Sequence, residues 1–467
     1  MIVMKVLFTG ELPMRKAFPM AVIAATLLMP GQSFADTDMQ ALKQQLDALK
    51  KDYEHRIATL ETRLLKAETK VNTQALEVKP ARTSTITSNS FNPAVSLILN
   101  GRYSNFDNDP GDYELPGFSL GGESGLGSQG FSLGESELAF SGNIDDKFYG
   151  KATIGLHNEG GTTEVDLEEA YIQTLGLGHG LTVKAGRFFS AMGYLNEQHT
   201  HTWDFADAPL IYRGLFGDQL KDDGVQVSYI APTDIFLQFG AEIMSGSSFP
   251  GGGEDNGIGA STVFANIGGD IGIEHSWQLG LSHWQANDIE GRASGGHSHG
   301  GVGTAETPSF DGKSKINALD FVYKWAPNGN PSNQNVKFQF EYFDREEEGG
   351  ITMLNSGPPL ETSTYDGDQK GWYAQTIYQF KPQWRVGLRY DQLDSDNSGS
   401  DAGVLAEAGL DNEGLKPERI SAMLEWLPSE FSRIRLQYNR DESYEHADDQ
   451  LFLQYTMSLG SHGAHQY

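Results

Sequence analysis

The chain of 467 residues carries a formal charge of −29, with 38 % hydrophobic residues and no cysteine. So acidic a surface argues against nucleic acid and anionic lipid as partners. No apolar run reaches the ~20 residues of a membrane-spanning helix, so a bilayer could be crossed only as a closed barrel.

At the N-terminus, Arg15 and Lys16 precede an apolar run from Ala17 to Met29, and Ser33-Phe34-Ala35 comes next as a small-x-small site. This pattern predicts a signal peptide over 1–35. Its loss removes three basic residues and one acidic residue and leaves a charge of −31. The lack of cysteine suits an oxidising periplasmic route. From Asp36 to Pro80 the period changes: Met39, Leu42, Leu46, Leu49, Tyr53, Ile57, Leu60, Leu64, Ala67 and Val71 recur at spacings of three or four. That seam predicts a periplasmic coiled coil over 36–80, with a solitary amphipathic helix as the alternative. The segment holds eight acidic and eight basic residues, so the whole charge belongs to the residues after Pro80. Residues 81–90, rich in Thr and Ser, read as a linker.

From about Asn92 onward, sixteen stretches alternate apolar and polar residues. In Arg433-Ile434-Arg435-Leu436-Gln437-Tyr438-Asn439-Arg440 one side reads Ile434, Leu436, Tyr438 and the other is charged or amide. Strands place successive side chains on opposite faces, so this suits a wall with oil outside and water inside. Outward candidates include Val336, Phe338, Phe340 and Tyr342, then Val386, Leu388 and Tyr390. Inward ones include Lys337, Gln339 and Glu341, then Arg385, Arg389, Asp391, Arg419, Glu425, Arg433 and Arg435. A β-sandwich would bury that second face or leave it solvated. Short links recur at every second junction, as at Lys381-Pro382 and Pro428-Ser429-Glu430. Long ones fall between: Asp107–Gly130, Ser190–Asp222, Ser245–Gly259, Ala286–Lys313, Glu346–Lys370 and Asp394–Lys416. The predicted fold class is thus all-β: a transmembrane antiparallel β-barrel of about 16 strands over 91–467, behind a signal peptide and an α-helical coiled coil. At that size the lumen should be aqueous rather than packed.

Val165-Asp166-Leu167-Glu168-Glu169-Ala170-Tyr171-Ile172, then Leu181 to Phe188 with Gly186-Arg187-Phe188, then Gly193-Tyr194-Leu195-Asn196-Glu197, resembles the phosphate-selective porin O and P superfamily. With the N-terminal coil and the stretch Asn196 to Phe205, the chain also resembles a proteobacterial group labelled zinc-regulated or TonB-dependent outer-membrane proteins. The resemblance implies an outer-membrane channel whose loop after the Gly-x-Phe strand folds toward the pore. Anion preference is not carried over, because lysine-rich pore walls are replaced here by acidic ones. A TonB-dependent receptor would also need a plug domain and a larger barrel.

The Ser190–Asp222 loop, with Glu197, Asp204, Asp207 and Asp218, is the candidate constriction. Arg385, Arg389, Arg419, Arg433 and Arg435 are expected opposite it, setting a transverse field across an eyelet. Solvated loop acids are the plainer alternative. His199-x-His201 in that loop and His297-x-His299 in the next Gly-rich one could take transient zinc, since imidazole is a favoured ligand and His-x-His puts two rings on one side of extended chain. External loops also tolerate histidine freely. No resident cofactor is expected, and no Gly-x-Ser-x-Gly, His-Glu-x-x-His or phosphate loop points to an enzyme. The expectation is passive diffusion of small hydrophilic solutes, favouring cations. Selective zinc uptake and a structural or adhesive barrel are the rivals. Expected partners are outer-membrane lipid, two further copies in a homotrimer, the barrel-assembly machinery, and small solutes or ions.

Overall fold

The computed structural model describes residues 93–460, apart from 122–123, 160–161, 253–256, 295–306 and 445. The expected signal peptide, coiled coil and linker lie outside the described residues, as do His297 and His299.

The wall begins with β1 (Ala94–Phe106) and β2, which is broken into Gly130–Leu133 and Ser136–Asn143. Then come β3 (Phe148–Glu159), β4 (Thr162–Thr174), β5 (Leu181–Phe189), β6 (Lys221–Ile230), β7 (Phe236–Met244) and β8 (Ala260–Ile271). The second half holds β9 (His275–Ala293), β10 (Thr307–Trp325), β11 (Asn335–Leu354) and β12 (Glu361–Lys381). It ends with β13 (Trp384–Ser398), β14 (Glu418–Ser429), β15 (Ser432–Asp441) and β16 (Asp448–Gly460). Each strand pairs antiparallel with its neighbours in the chain, and β1 pairs β16 from Ser96↔Gly460 to Phe106↔Gln450. The result is a closed barrel of 16 strands.

Alternation decides which face is which. In β15, Leu436 is 45 % exposed while Arg435 and Gln437 are fully buried. Around the outside, Phe239, Val263, Leu281, Leu388, Ile420 and Leu453 are between 46 % and 64 % exposed. A continuous apolar belt of this kind exceeds what a soluble monomer shows water, and it fits lipid.

Two expectations are corrected. The segments Glu346–Lys370 and much of Ala286–Lys313 are not loops. β11 and β12 pair without interruption from Asn335↔Gln379 to Met353↔Glu361, so their charged residues belong to a projecting hairpin. Strands of 20 and 21 residues are about twice what a bilayer crossing needs. Beyond the lipid, outward positions no longer require apolar side chains. The lumen, second, is not wholly aqueous. Inward Ile316, Phe343, Tyr373 and Leu393 join Met192, Leu195, Leu210, Ile211, Tyr212 and Leu215 of the 190–220 loop in one buried apolar cluster.

Candidate functional site

The loop between β5 and β6 folds into the barrel because its sequence leaves it no better place. Trp203, Phe205, Ile211, Tyr212 and Phe216 would each lose on the order of 1.5–3 kcal/mol if left in water, and all are buried. Its helix α1 (Leu210–Phe216) is buried at all seven positions, and Gly217 ends it at φ 62°, a left-handed conformation glycine takes without strain. Asn196 ties the two ends together. Its amide donates to the carbonyls of Ser190 and Leu220, both at 2.8 Å, and its oxygen accepts from the Leu220 N–H at 2.7 Å.

Wall carboxylates cap the loop backbone. Glu242 accepts from Ser190 Oγ at 2.5 Å and the Ala191 N–H at 2.9 Å. Glu341 accepts from the N–H groups of Tyr194 and Leu195 at 3.1 and 3.0 Å and from the Tyr212 hydroxyl at 2.8 Å, and it also takes the Tyr373 hydroxyl.

The predicted acids and arginines do meet, but in direct contact. Asp204 pairs with Lys337 at 3.0 Å and Arg385 at 3.3 Å. Asp207 pairs with Arg389 at 2.8 Å and Arg419 at 2.9 Å, and accepts from Gln437 and Asn439 at 2.7 and 2.9 Å. Arg435 donates to the Trp203 carbonyl at 2.7 Å, and Arg433 to the carbonyls of Trp203 and His201. Burial works against both aspartates, yet Lys337 with Arg385 for Asp204, and Arg419 with Arg389 for Asp207, hold them below the ordinary carboxylate range. The expected transverse field across an open eyelet is therefore corrected: opposite charges at 3 Å cancel locally and fasten the loop to β11–β15. Glu197 and Asp218 stand apart from this ladder, 3.8 Å from Lys184 and Arg213 respectively.

On the other flank the loop faces β1, β2 and β4 across a cavity of about 220 Å³. Arg102, Glu135, Asp166, Glu168, Asp218 and Lys221 are among the residues that line it. At its edge His199 and His201 dock on carboxylates. His199 Nδ1 lies 3.1 Å from Glu137 and 3.2 Å from Glu168, and its Nε2 lies 2.8 Å from Glu169. His201 Nδ1 lies 2.5 Å from Glu137. Burial disfavours charge on His199, but Glu137 and its neighbours hold it well above its ordinary value; burial depresses His201, with Glu137 offsetting part.

The sequence reading missed these glutamates because alternation hides them. Between Thr153↔Glu169 and Ile154↔Leu167 the register skips one residue, so consecutive Glu168 and Glu169 are both buried. The break in β2 does the same for Ser136 and Glu137. β-bulges re-aim side chains in this way. The run Leu167-Glu168-Glu169 was the available signal, two acids where strict alternation allows one inward.

No known family profile matches the chain. Among solved structures it is similar to a loop-deletion form of OmpT, an outer membrane protein of Vibrio cholerae. That match has TM-score 0.49 and 11 % identity over 79 % of this chain and 99 % of that one. It is also similar to the outer membrane channel DcaP of Acinetobacter baumannii, with TM-score 0.47 and 13 % identity over 79 % and 97 %. A curated relative, an uncharacterized protein of Aquifex aeolicus, is 30 % identical over 439 residues, spanning 87 % of this chain and 86 % of its own. The chain belongs to the family of that Aquifex protein.

Proposed function

We propose that the protein is an outer-membrane porin that lets small hydrophilic solutes diffuse past the inward loop. One observation carries this reading: a closed, lipid-compatible barrel holds a folded loop that is clamped to one wall and leaves a charged, water-accommodating space at the other. A packed barrel would have no reason to line that space with ionisable groups, which cost several kcal/mol to bury unpaired. The lining favours cations. Glu135, Asp166, Glu168, Asp207 and Asp218 outnumber Arg102, Arg213 and Lys221. Assembly as a trimer belongs to the same proposal and is read by crosslinking in native membranes.

Planar-bilayer recording tests it. Ohmic single-channel steps are expected, with a reversal potential in a salt gradient shifted toward the cation. Silence from correctly folded protein would sink the porin reading, and a shift toward the anion would sink its cation preference.

A further inference from the structure

The histidine–glutamate cluster under the loop does more than dock a turn. Glu135 and Glu137 come from broken β2, Glu168 and Glu169 from the bulge in β4, and His199 and His201 from the loop, so three separate segments converge. One ligand atom each from Glu137, His199 and His201 lie within 4.8 Å of one another, and the same holds for Glu135, Glu137 and Glu168. Glu137 belongs to both sets, which makes them two sides of a single site. Glu137, Glu168 and Glu169 are 2–6 % exposed and His201 is 6 % exposed.

The charges do not balance. Among the described residues of the cluster, four carboxylates face Lys151, which reaches Glu169 at 2.6 Å and lies 3.0 Å from His199 Nε2, and the protonated ring of His199. Glu135 accepts from Thr200 Oγ1 at 2.6 Å, a neutral donor. Carboxylates in excess in a buried place are costly, and a divalent ion taking the place of the His199 proton would reduce that excess. Imidazole with carboxylate is the ligand set that suits zinc and its neighbours. The outer shell is built as well. Glu169 lies 2.8 Å from His199 Nε2 and would orient the ring, so that Nδ1, on losing its proton to an incoming metal, faces Glu137 and Glu168 in a carboxylate–histidine–metal arrangement.

We propose that Glu137, His199 and His201, with Glu168 alongside, hold one divalent transition-metal ion that pins the inward loop to the N-terminal wall. The ion is a resident clamp beneath the loop, not a transported solute, and the site stands whether or not the barrel conducts.

The test uses the full chain folded in detergent, its fold checked by heat-modifiable migration, stripped with a chelator and titrated with Co²⁺ by ligand-field absorption and with Zn²⁺ by calorimetry. One ion per chain is expected. His199→Ala and His201→Ala should each weaken binding at least ~10-fold, and Glu169→Gln by roughly 10–100-fold, as for outer-shell partners. His275→Ala, whose ring lies by Tyr323 outside the cluster, should leave binding unchanged. Metal should also slow amide exchange around residues 199–204. Absence of stoichiometric binding overturns the site. So does binding that survives His199→Ala and His201→Ala but is lost with His297→Ala and His299→Ala. Binding without slower exchange overturns the clamp. Bilayer currents from the same preparations keep the readings apart, because an open pore that binds no metal refutes only the site, and a metal-binding but silent barrel refutes only the porin.

Discussion

The inward loop touches two walls that hold it by different means. Where β11–β15 meet the loop the strands keep strict alternation, and a ladder of Lys337, Arg385, Arg389, Arg419, Arg433 and Arg435 grips Asp204, Asp207 and loop carbonyls. Along β2 and β4 the strands are broken and bulged, and histidines of the loop meet an excess of carboxylates. The difference teaches where rigidity resides. Planar guanidinium forks fix an aspartate from several sides at once, so that wall needs no backbone irregularity. The opposite wall must bend its strands to bring its acids to bear, and it leaves water-accessible space beside them.

Three experiments press on this contrast. Asp207→Ala should have the largest effect. It leaves Arg389 and Arg419, 2 % and 1 % exposed, with Asp391 as the one carboxylate they still share, and breaking a buried pair costs about 3–5 kcal/mol. The expected outcome is a loop released from the C-terminal wall, seen as larger and noisier single-channel conductance and a lower unfolding temperature, while the barrel still forms. Glu341→Gln comes next. An amide cannot accept all the donors that converge on the carboxylate, and hydrogen bonds to a charged group contribute about 1.5–3 kcal/mol each. Faster amide exchange at Tyr194 and Leu195 would register the loss. If exchange there is unchanged, the cap is not what holds the loop start.

The smallest effect concerns pH. Asp204 and Asp207 are held below their ordinary range when folded, so their stabilisation is present above the unfolded value of about 3.9 and is lost only as pH falls through the lower, folded one. The arginine-side clamp should therefore persist at about pH 4, with conductance amplitude unchanged from neutral pH. A step in amplitude near that pH would place the titrating clamp elsewhere.

Much of the barrel is legible in sequence because lipid and lumen impose opposite demands on neighbouring residues. Ile434, Leu436 and Tyr438 against Arg433, Arg435 and Gln437 state the wall directly. The legibility stops where that demand stops. Glu346, Glu348 and Asp368 stand in a hairpin beyond the lipid, and their charge reads as loop although the ladder continues. Asp204, Asp207 and the arginines were each recognisable as lumen residues. Their direct pairing was not, since sequence carries no distance between a loop and a strand some 180 residues later. Glu168 and Glu169 were obscured by the bulge itself, and Glu341 by looking like any other inward acid.

The strand lengths carry one more consequence. β5 and β7 have 9 residues each, whereas β11 and β12 have 20 and 21. At ~3.4 Å per residue and a tilt near 40°, one flank rises roughly 30 Å above the other. The mouth is cut on a slant, so a molecule drifting in from one side meets a tall parapet, while from the other it passes over a low sill.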